Sequence, residues 1–436
     1  MARAVNDTQA LRTVLSNGII LVSETLPGRR QVSLSITIAQ GSRHQQATDN
    51  GFAHLLEHMF FKGSRSYTGE EINRQIELLG GGINAFTDRE TTVLHGTVLA
   101  EDGRRAFALL SDMLLYPQWT ARDLYAERGV VAQEAAMVAE DLEDWLNERA
   151  IGRFWSDSPL AWPVLGRATC IRRATAARLR QYHAAMLAAA PIVVTAVGAI
   201  SHDTLCDWAR PLEALPQRRK LPTVQPQASY LRGVSRRTEA QQAHALWLTE
   251  AAAFAAPEHL PELLANLILG GGSASRLFRH LRDRLGLAYQ VYSQVEALSD
   301  TGEWSIYCAV PPAAWALTRR EVLRILRELA DGGPTLEEFQ WARHSLRVQW
   351  LLGQGDLEIR MARLTRQALY LGRCLSEAET LDALADIRED QIRAAFGRWQ
   401  RHLEWSCQPA MFQPRKPSFQ RRSAAKVATD SAAVSG

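Results

Sequence analysis

The sequence predicts an α+β protein made of two related domains, and three observations support this fold class. Segments with strand-like and helix-like hydrophobic patterns alternate along the 436 residues. A stretch rich in proline and charge, Arg210–Gln227, marks a boundary near the middle of the chain. Local patterns before this stretch recur after it. We therefore predict a first domain over 1–218, a second domain over 219–412 and a disordered tail over 413–436.

Hydrophobic period and turn signals define the elements of the first domain. An Asn17-Gly18 turn predicts a hairpin over 11–24, and alternation over 32–39 predicts a half-buried strand. Asp49 or Asn50 is expected to cap the next helix, since short polar side chains satisfy its first free N–H groups. The later elements are a helix that starts at Thr68 and stops at Gly80–Gly82, a strand pair over 83–87 and 90–99, helices over 106–115, from Thr120 past Glu140, over 143–157 and over 175–189, and a buried strand over 191–199.

Two pairs of segments indicate that the second domain repeats the first. A helix that begins after Thr120 is echoed by one that begins after Thr335, each with an acidic residue three positions on. The helix, glycine stop and strand over 76–86 are echoed over 281–291. The second domain contains no counterpart to the H-x-x-E-H sequence at 54–58. One domain is therefore equipped to hold a metal ion and the other is not.

Composition and charge exclude several classes of protein. The chain is 46% hydrophobic and 22% charged, as globular proteins are, and its net charge of +3 gives no reason to expect a nucleic-acid partner. Five scattered cysteines without a C-x-x-C pair favour reduced thiols over disulfides or a thiolate metal site. The N-terminus lacks an apolar signal-peptide core, and no apolar run of about 18 residues occurs. We expect a soluble, cytoplasmic protein that does not bind a membrane.

The stretch Gly51–Phe60 contains the pattern that indicates chemistry. On a helix, His54 and His58 lie one turn apart with Glu57 on the same face. Two neutral imidazoles at i and i+4 suit a tetrahedral Zn²⁺, and a carboxylate beside them can accept a proton from a water that the metal activates. This H-x-x-E-H order is the inverzincin signature.

A hydrolytic zinc site needs a third protein ligand and an open position for water. The long helix after Thr120 supplies carboxylates for this purpose. Glu127 and Glu134 are two helical turns apart and share a face. A solvated helix face is the alternative interpretation for Glu127.

The sequence resembles the pitrilysin/insulinase family of metallopeptidases over nearly its whole length. The matching stretches are GFAHLLEHMFFKGS, GGGINAFTDRETT and ERGVVAQE. The likeness is to short, two-domain members, such as bacterial processing-peptidase-like proteins and the beta subunit of mitochondrial processing peptidase. In that family each domain is a mainly antiparallel sheet with helices packed on it, and two such domains form half of a clamshell.

The resemblance implies a role for each residue of the metal site. The family's third ligand is a glutamate about 76 residues after the second histidine, and Glu134 stands at that distance from His58. His54, His58 and Glu134 are therefore implied to bind one Zn²⁺ per chain, with Glu57 as general base. Glu127 is implied to accept a hydrogen bond from a ligand imidazole and so to fix its tautomer.

The resemblance also implies which residues bind the peptide substrate. The strand of Asn84, Ala85, Phe86 and Thr87 matches a substrate-binding edge strand, to which an extended peptide adds through backbone hydrogen bonds. The alternative is a buried structural strand.

In the second domain, Arg282 and Tyr289 match a pair that the family brings to face the zinc. Arg282 can bind substrate carbonyls, and the Tyr289 hydroxyl can donate to the oxyanion. The alternatives are an arginine on a solvated helix and a tyrosine that anchors a strand. His44, His95 and His280 are expected at the surface and not as metal ligands, with a position near the cleft as the alternative for His44 and His95.

These assignments predict a zinc endopeptidase or oligopeptidase that acts on short or unfolded peptides. Family members enclose the peptide in a chamber of four domains, so this two-domain chain is expected to have a partner. A homodimer is expected because the metal set and the Arg/Tyr pair lie on one chain. The alternative is a heterodimer with a metal-lacking relative, for example in maturation of a precursor such as that of pyrroloquinoline quinone. A silent scaffold is disfavoured by the complete ligand set, and an iron oxidoreductase by the base beside the ligands.

Overall fold

The fold is known from a computed structural model. It describes residues 9–156, 158–217, 226, 228, 235–238, 242–406 and 410–414. The predicted domain boundary at 218, most of the second half of the proline-rich stretch and the tail beyond 414 lie outside these residues. Within them the chain forms two sheets with helices packed on them, which confirms the predicted α+β class.

Six strands form the first sheet: β1 (Leu11–Val14), β2 (Ile20–Thr25), β3 (Gln31–Ile38), β4 (Asn84–Thr87), β5 (Thr92–Leu99) and β6 (Ile192–Gly198). Their order is β1-β2-β6-β3-β5-β4. Neighbouring strands are antiparallel except for β2 and β6, which are parallel. The predicted hairpin at the N-terminus is confirmed, and β4 lies at an edge of the sheet.

The helices of the first half are α1 (Phe52–Phe60), α2 (Gly69–Leu78), α3 (Gly103–Leu115), α4 (Ala121–Glu140), α5 (Leu142–Phe154), α6 (Ala168–Arg173), α7 (Ala176–Ala189) and α8 (His202–Ala209). Threonine side chains cap α2 and α4 through capping boxes, as predicted. Leu34, Ile36 and Ile38 of β3 share one buried apolar core with Leu55 and Met59 of α1. The metal-motif helix is thus fixed on the sheet by its apolar face.

The second sheet contains β7 (Ser235–Thr238), β8 (Ala243–Ala251), β9 (Gln290–Ala297), β10 (Gly302–Val310) and β11 (Ala410–Pro414). Its helices are α9 (His259–Leu269), a π-helical segment (Phe278–Arg284), α10 (Trp315–Gly332), α11 (Leu336–Gly353), α12 (Leu357–Tyr370), α13 (Glu377–Ala385) and α14 (Glu389–Ser406). The strand β11 includes Gln413 and Pro414, which the sequence had assigned to the tail. These two residues are part of the sheet because β11 pairs with β7 and β8.

The topology confirms that the two domains are related. The strand order β7-β11-β8-β10-β9 repeats the order β2-β6-β3-β5-β4 of the first sheet. In each sheet the first pair of this series is parallel and the others are antiparallel. Thr335 caps α11 with the same capping box that Thr120 forms on α4. The predicted sequence repeat is therefore a repeat of structure.

Each half of the chain places one helix on the other half's sheet. Leu357, Met361 and Leu364 of α12 share a buried core with Val22 and Val193 of the first sheet. In the same way α5 packs on the second sheet through a core that contains Leu146, Phe154, Leu246 and Leu248. The strand β3 is consequently buried on both faces, and the prediction of a half-buried strand is wrong. In the part of the chain that is described, no helix is both long and apolar enough to cross a membrane.

Candidate metal centre

Helix α1 begins at a glycine that packs against another backbone. Gly51 has a φ of 93°, and a Cβ atom there would lie 2.6 Å from the Cα atom of Gly166. Its N–H donates to Gln45 Oε1 at 2.8 Å. The prediction that Asp49 or Asn50 caps this helix is therefore wrong, because the close approach requires glycine at the cap position. The Asn50 side chain instead bonds the loop that carries Gly166.

The three predicted metal ligands come together between α1 and α4. Nε2 of His54 lies 3.7 Å from Oε2 of Glu134, and Nε2 of His58 lies 3.6 Å from the same oxygen. One ligand atom from each of the three residues lies within 4.8 Å of the other two. Two atoms that each bind a tetrahedral zinc at about 2.0–2.1 Å are separated by about 3.4 Å. The spacing therefore fits one zinc ion, and no second group of this kind occurs among the described residues.

Buried polar atoms in this cluster lack hydrogen-bond partners. Nδ1 of His54, Oε2 of Glu57 and Oε2 of Glu134 are all buried without one. An unpaired buried carboxylate oxygen costs free energy, and a bound cation with a water removes that cost. Burial, and then the nearby His58, lowers the pKa of His54 to about 4. His54 is therefore neutral near pH 7, which is the form that binds metal.

Glu57 lies next to both the ligands and the predicted peptide strand. Burial raises the pKa of Glu57, an effect that Thr87 and His58 partly offset. Thr87 is the last residue of β4, so the carboxylate stands between the metal cluster and the sheet edge. A carboxylate with a raised pKa is closer to the range in which a general base works near neutral pH.

Glu127 holds one of the predicted ligands in place. The imidazole Nδ1–H of His58 donates to Oε2 of Glu127 at 2.9 Å. An ionised carboxylate can only accept a hydrogen bond, so this contact places the proton on Nδ1 and leaves Nε2 free for a metal. Glu127 is 6% exposed, which contradicts the alternative of a solvated helix face.

Lys62 belongs to the same cluster, and sequence reasoning missed it. Its Nζ lies 2.7 Å from Oε1 of Glu127. Oε1 of Glu127 thus binds Lys62, while Oε2 accepts the hydrogen bond from His58. A signal existed in the sequence, because Lys62 stands four residues after His58 and is one of only four lysines in the chain.

The predicted peptide strand lies at an open edge of the first sheet. Among the described strands, β4 pairs with β5 alone. Ala85 is buried, whereas Phe86 is 45% exposed. This contradicts the alternative of a buried structural strand. The backbone groups on the outer side of β4 are available to a further strand.

Arg282 and Tyr289 contact each other on the second domain. The Arg282 guanidinium carbon lies 4.9 Å from the centre of the Tyr289 ring and 4.6 Å from that of Phe278. The pair lines a surface depression beside the glycine-rich segment 270–273, and Tyr289 is 73% exposed. No hydrogen bond or ring contact joins either residue to the metal ligands, all of which are described. The structure therefore brings the pair together, without a contact to the predicted metal ligands of the same chain.

The three other histidines considered from the sequence (His44, His95 and His280) lie outside the metal cluster, as predicted. They are half-buried and not at the surface, because each packs against a neighbour. The ring of His95 contacts that of Phe86, Nε2 of His280 lies 2.9 Å from Glu321, and the His44 Nδ1 accepts from the Gly41 N–H.

Comparison with known proteins identifies the family. The family described as "Insulinase (Peptidase family M16)" matches residues 20–168, and "Peptidase M16 inactive domain" matches residues 173–346. The chain belongs to the M16 (insulinase) family of peptidases. The candidate metal centre lies wholly within the first M16 match, whereas Arg282 and Tyr289 lie within the second. The resemblance to the pitrilysin/insulinase family is thus confirmed.

Similar M16 proteins occur in bacteria and are named zinc proteases. One from Mycobacterium leprae is 30% identical over 90% of this chain and 89% of its own length. One from Mycobacterium tuberculosis strain H37Rv is 32% identical over 88% of this chain and 89% of its own. One from Bacillus subtilis, YmxG, is 27% identical over 87% and 93%.

Two solved structures share the M16 fold. A peptidase M16 inactive domain from Pseudomonas fluorescens superposes with a TM-score of 0.83 at 20% identity, covering 93% of this chain and 97% of its own. A protease from Helicobacter pylori also gives 0.83, at 18% identity, covering 94% and 100%. Both support two related α+β domains.

Proposed function

We propose that this protein is a zinc-dependent peptidase that hydrolyses peptide bonds in short or unfolded peptides, with one zinc ion per chain. The observation that supports it is the convergence of His54, His58 and Glu134, with the buried carboxylate of Glu57 beside them. The M16 family and the zinc-protease names of its relatives agree with this chemistry.

Each residue of the site has its own role in hydrolysis. Zinc bound by the three ligands supplies a Lewis acid that polarises the peptide carbonyl and lowers the pKa of the attacking water. Glu57 accepts the proton of that water and delivers it to the leaving amine. Glu127 and Lys62 hold His58 in the tautomer that presents Nε2.

The substrate is proposed to bind as an added strand on β4. Its backbone would bond Asn84–Thr87, and the position of Thr87 beside Glu57 would bring a peptide bond next to the base. Recognition through backbone groups makes sequence preference loose. Short or unfolded peptides are therefore the substrates that fit, because a segment inside a folded chain must first break its own hydrogen bonds and packing before it can lie extended on β4.

A partner subunit is proposed to complete the site. Arg282 and Tyr289 do not contact the metal ligands of their own chain, so a second copy would supply them to bind substrate carbonyls and the oxyanion. A homodimer is thus the first expectation, and a heterodimer with a metal-lacking relative is the alternative. Native mass spectrometry distinguishes them, because a homodimer shows twice the chain mass with two zinc ions. A cytoplasmic location is proposed from the sequence alone.

The direct test compares wild type with Glu57→Gln. Zinc content is measured by elemental mass spectrometry, and cleavage is measured on a library of unstructured peptides. Both proteins should carry zinc, whereas Glu57→Gln should turn over about 10²–10⁴-fold more slowly. Retained turnover in the variant would exclude Glu57 as the base. A wild type that carries zinc and binds peptides but cleaves none would instead support a silent scaffold.

A further inference from the structure

The turn between β4 and β5, Asp88–Thr91, is held by both domains through one buried carboxylate. Glu90 is 4% exposed. Arg43 Nη1 donates to its Oε1 at 2.7 Å, the Ser299 N–H to Oε2 at 2.9 Å, the Ser299 hydroxyl to Oε1 at 2.5 Å and the Tyr370 hydroxyl to Oε2 at 2.7 Å. Arg43 belongs to the first half of the chain, whereas Ser299 and Tyr370 belong to the second.

Arg43 extends this network to a second carboxylate. Its two terminal nitrogens each donate to Asp300 at 2.8 Å. Burial opposes the charge of Arg43, but the bonds to Asp300 and Glu90 outweigh burial and raise its pKa. Hydrogen bonds between charged groups are stronger than those between neutral groups. A buried ion pair whose other polar atoms are also hydrogen-bonded keeps a fixed geometry. We call the set of Arg43, Glu90, Ser299, Asp300 and Tyr370 the Glu90 network.

The same turn is also fixed to the rest of the first domain. The Ser42 N–H donates to the Asp88 carbonyl at 3.1 Å, and the Arg43 N–H donates to the Arg89 carbonyl at 2.9 Å. A Cβ atom at Gly41 would lie 2.3 Å from the Asp88 carbonyl oxygen, so the two backbones are in close contact. The C-terminal end of β4 is therefore anchored on two sides.

The other end of β4 is held by packing and, in the described chain, by no ionic network: Ile83 is buried in the first core, and a Cβ atom at Gly82 would lie 2.8 Å from the Thr97 carbonyl oxygen. This end follows the glycines 80–82, and Gly80 and Gly81 have φ values of 98° and 75°. The strand itself has four residues and, within the described chain, one neighbouring strand. A short edge strand takes its position from what holds its two ends, and the Glu90 network holds the C-terminal end.

We propose that Glu90 is a positioning residue: through the Asp88–Thr91 turn it fixes strand β4 relative to the second domain. Through Glu90, the positions of Ser299 and Tyr370 determine where β4, the strand proposed to receive the peptide, lies. This inference rests on the proposed function only in assigning the peptide to β4. Glu90 itself touches neither the metal ligands nor the outer edge of β4.

The chemistry of the network requires a carboxylate at this position. A glutamate offers two oxygens that only accept, and four donors converge on them in the described residues. In Glu90→Gln one oxygen becomes an NH₂ group, which faces donors and accepts nothing. Buried donors left unpaired are costly, so the turn is expected to shift or loosen.

Glu24 provides a matched control for the loss of a buried carboxylate. The side chains of Glu24 and Glu90 are both 4% exposed. Glu24 of β2 accepts from Arg360 Nε of α12 at 2.8 Å, so it also joins the two halves of the chain. Three strands separate β2 from β4 in the sheet. Glu24→Gln therefore weakens the contact between halves without touching the β4–β5 turn.

The test is hydrogen exchange, followed by mass spectrometry, on zinc-loaded wild type, Glu90→Gln and Glu24→Gln. Glu90→Gln should speed exchange of the amides over 84–91 by about tenfold or more, whereas Glu24→Gln should leave that segment unchanged. Equal exchange over 84–91 in wild type and Glu90→Gln would overturn the proposal. So would the same acceleration in Glu24→Gln, because the effect would then be general.

Peptide cleavage provides a second readout. In Glu90→Gln we expect kcat/KM to fall about tenfold, mainly through KM, at unchanged zinc content, and Glu24→Gln to stay within about twofold of wild type. A fall that is confined to kcat would contradict a role in placing the peptide strand. If wild type cleaves no peptide, the proposed function fails, but the exchange experiment still decides the role of Glu90.

Tyr370→Phe keeps the test possible if Glu90→Gln does not fold. It removes one hydroxyl from α12 and leaves the Arg43–Glu90 ion pair in place. Exchange over 84–91 should rise in the same direction, by about two- to threefold, since one of the four hydrogen bonds to the Glu90 carboxylate is lost and three remain. No change over this segment in Tyr370→Phe would contradict the proposed link from Tyr370 of α12 to the strand.

Discussion

In the first domain the contact between α1 and α4 includes buried, hydrogen-bonded polar side chains beside its apolar residues, whereas the matching contact between α9 and α11 in the second domain buries alanines in an apolar core. His58 bonds Glu127 across the first pair of helices. Across the second pair, Ala265 of α9 and Ala342 of α11 are fully buried in one hydrophobic core. The sheets behind both pairs have the same strand order. A metal site and a packed core are thus two uses of one helix–helix contact.

The repeat shows how few positions separate these uses. Aligning the capping threonines of α4 and α11 places Ala342 at the position of Glu127 and Gln349 at the position of Glu134. Gln349 is exposed, and its amide donates to Ser345 of its own helix. The fold of the second domain therefore forms without a metal ion. We infer that the fold of the first domain does not depend on zinc either, although the stability of its helix contact does.

The largest effect should come from removing a predicted metal ligand from α1. His58→Ala removes one imidazole and places alanine on the helix. The variant should lose zinc and lower turnover by about 10⁴-fold or more, because two ligands do not hold zinc at cellular concentrations. Elemental mass spectrometry and steady-state kinetics measure the two losses, and circular dichroism confirms the fold. Stoichiometric zinc in His58→Ala would contradict the ligand assignment.

The second-largest effect on turnover should come from substitutions of Arg282 and Tyr289 in the second domain. Tyr289→Phe should lower kcat by about 10²-fold, since it removes an oxyanion donor, and Arg282→Ala should raise KM by about tenfold. Tyr125→Phe is the control, because Tyr125 on α4 is 77% exposed and Tyr289 is 73% exposed. It should change neither constant. Similar effects of Tyr289→Phe and Arg282→Ala on KM would argue against separate roles.

A smaller effect is expected at the residue that orients His58. Glu127→Ala gives α4 the residue that α11 has, and it should weaken zinc binding by about 10–100-fold. Glu127→Gln should weaken it less, because its amide oxygen still accepts from the His58 Nδ1–H. Competition with a chromophoric chelator measures both affinities. Wild-type affinity in Glu127→Ala would show that the hydrogen bond does not support the metal.

The parts of this molecule that could be predicted from the sequence are those with a local pattern. The spacing of His54 and His58 follows from one turn of a helix, and the family distance located Glu134. The bonds of Glu90 to Ser299 and Tyr370 span 209 and 280 residues, and no local pattern encodes them. For the same reason, the sequence did not predict that α5 packs on the second sheet and α12 on the first. Long-range partners follow from how the sheets pack, which hydrophobic period alone does not specify.

Metal removal should loosen the first pair of helices and leave the second pair unchanged. Without zinc, Nδ1 of His54 and one oxygen each of Glu57 and Glu134 (Oε2) remain buried and unpaired, and no such group of atoms lies between α9 and α11 in the described chain. Zinc present at about 1,000 times its Kd stabilises the folded state by about 4 kcal/mol. Chelation should therefore lower Tm by about 8–16 °C, since about 1 kcal/mol corresponds to about 2–4 °C in a domain of this size. Hydrogen exchange should rise in α1 and α4 only.

The control is Glu134→Gln, in which chelator should shift Tm less because one ligand is already lost. Equal loosening of both helix pairs would show that zinc stabilises the whole chain and that the two contacts do not differ in the way proposed.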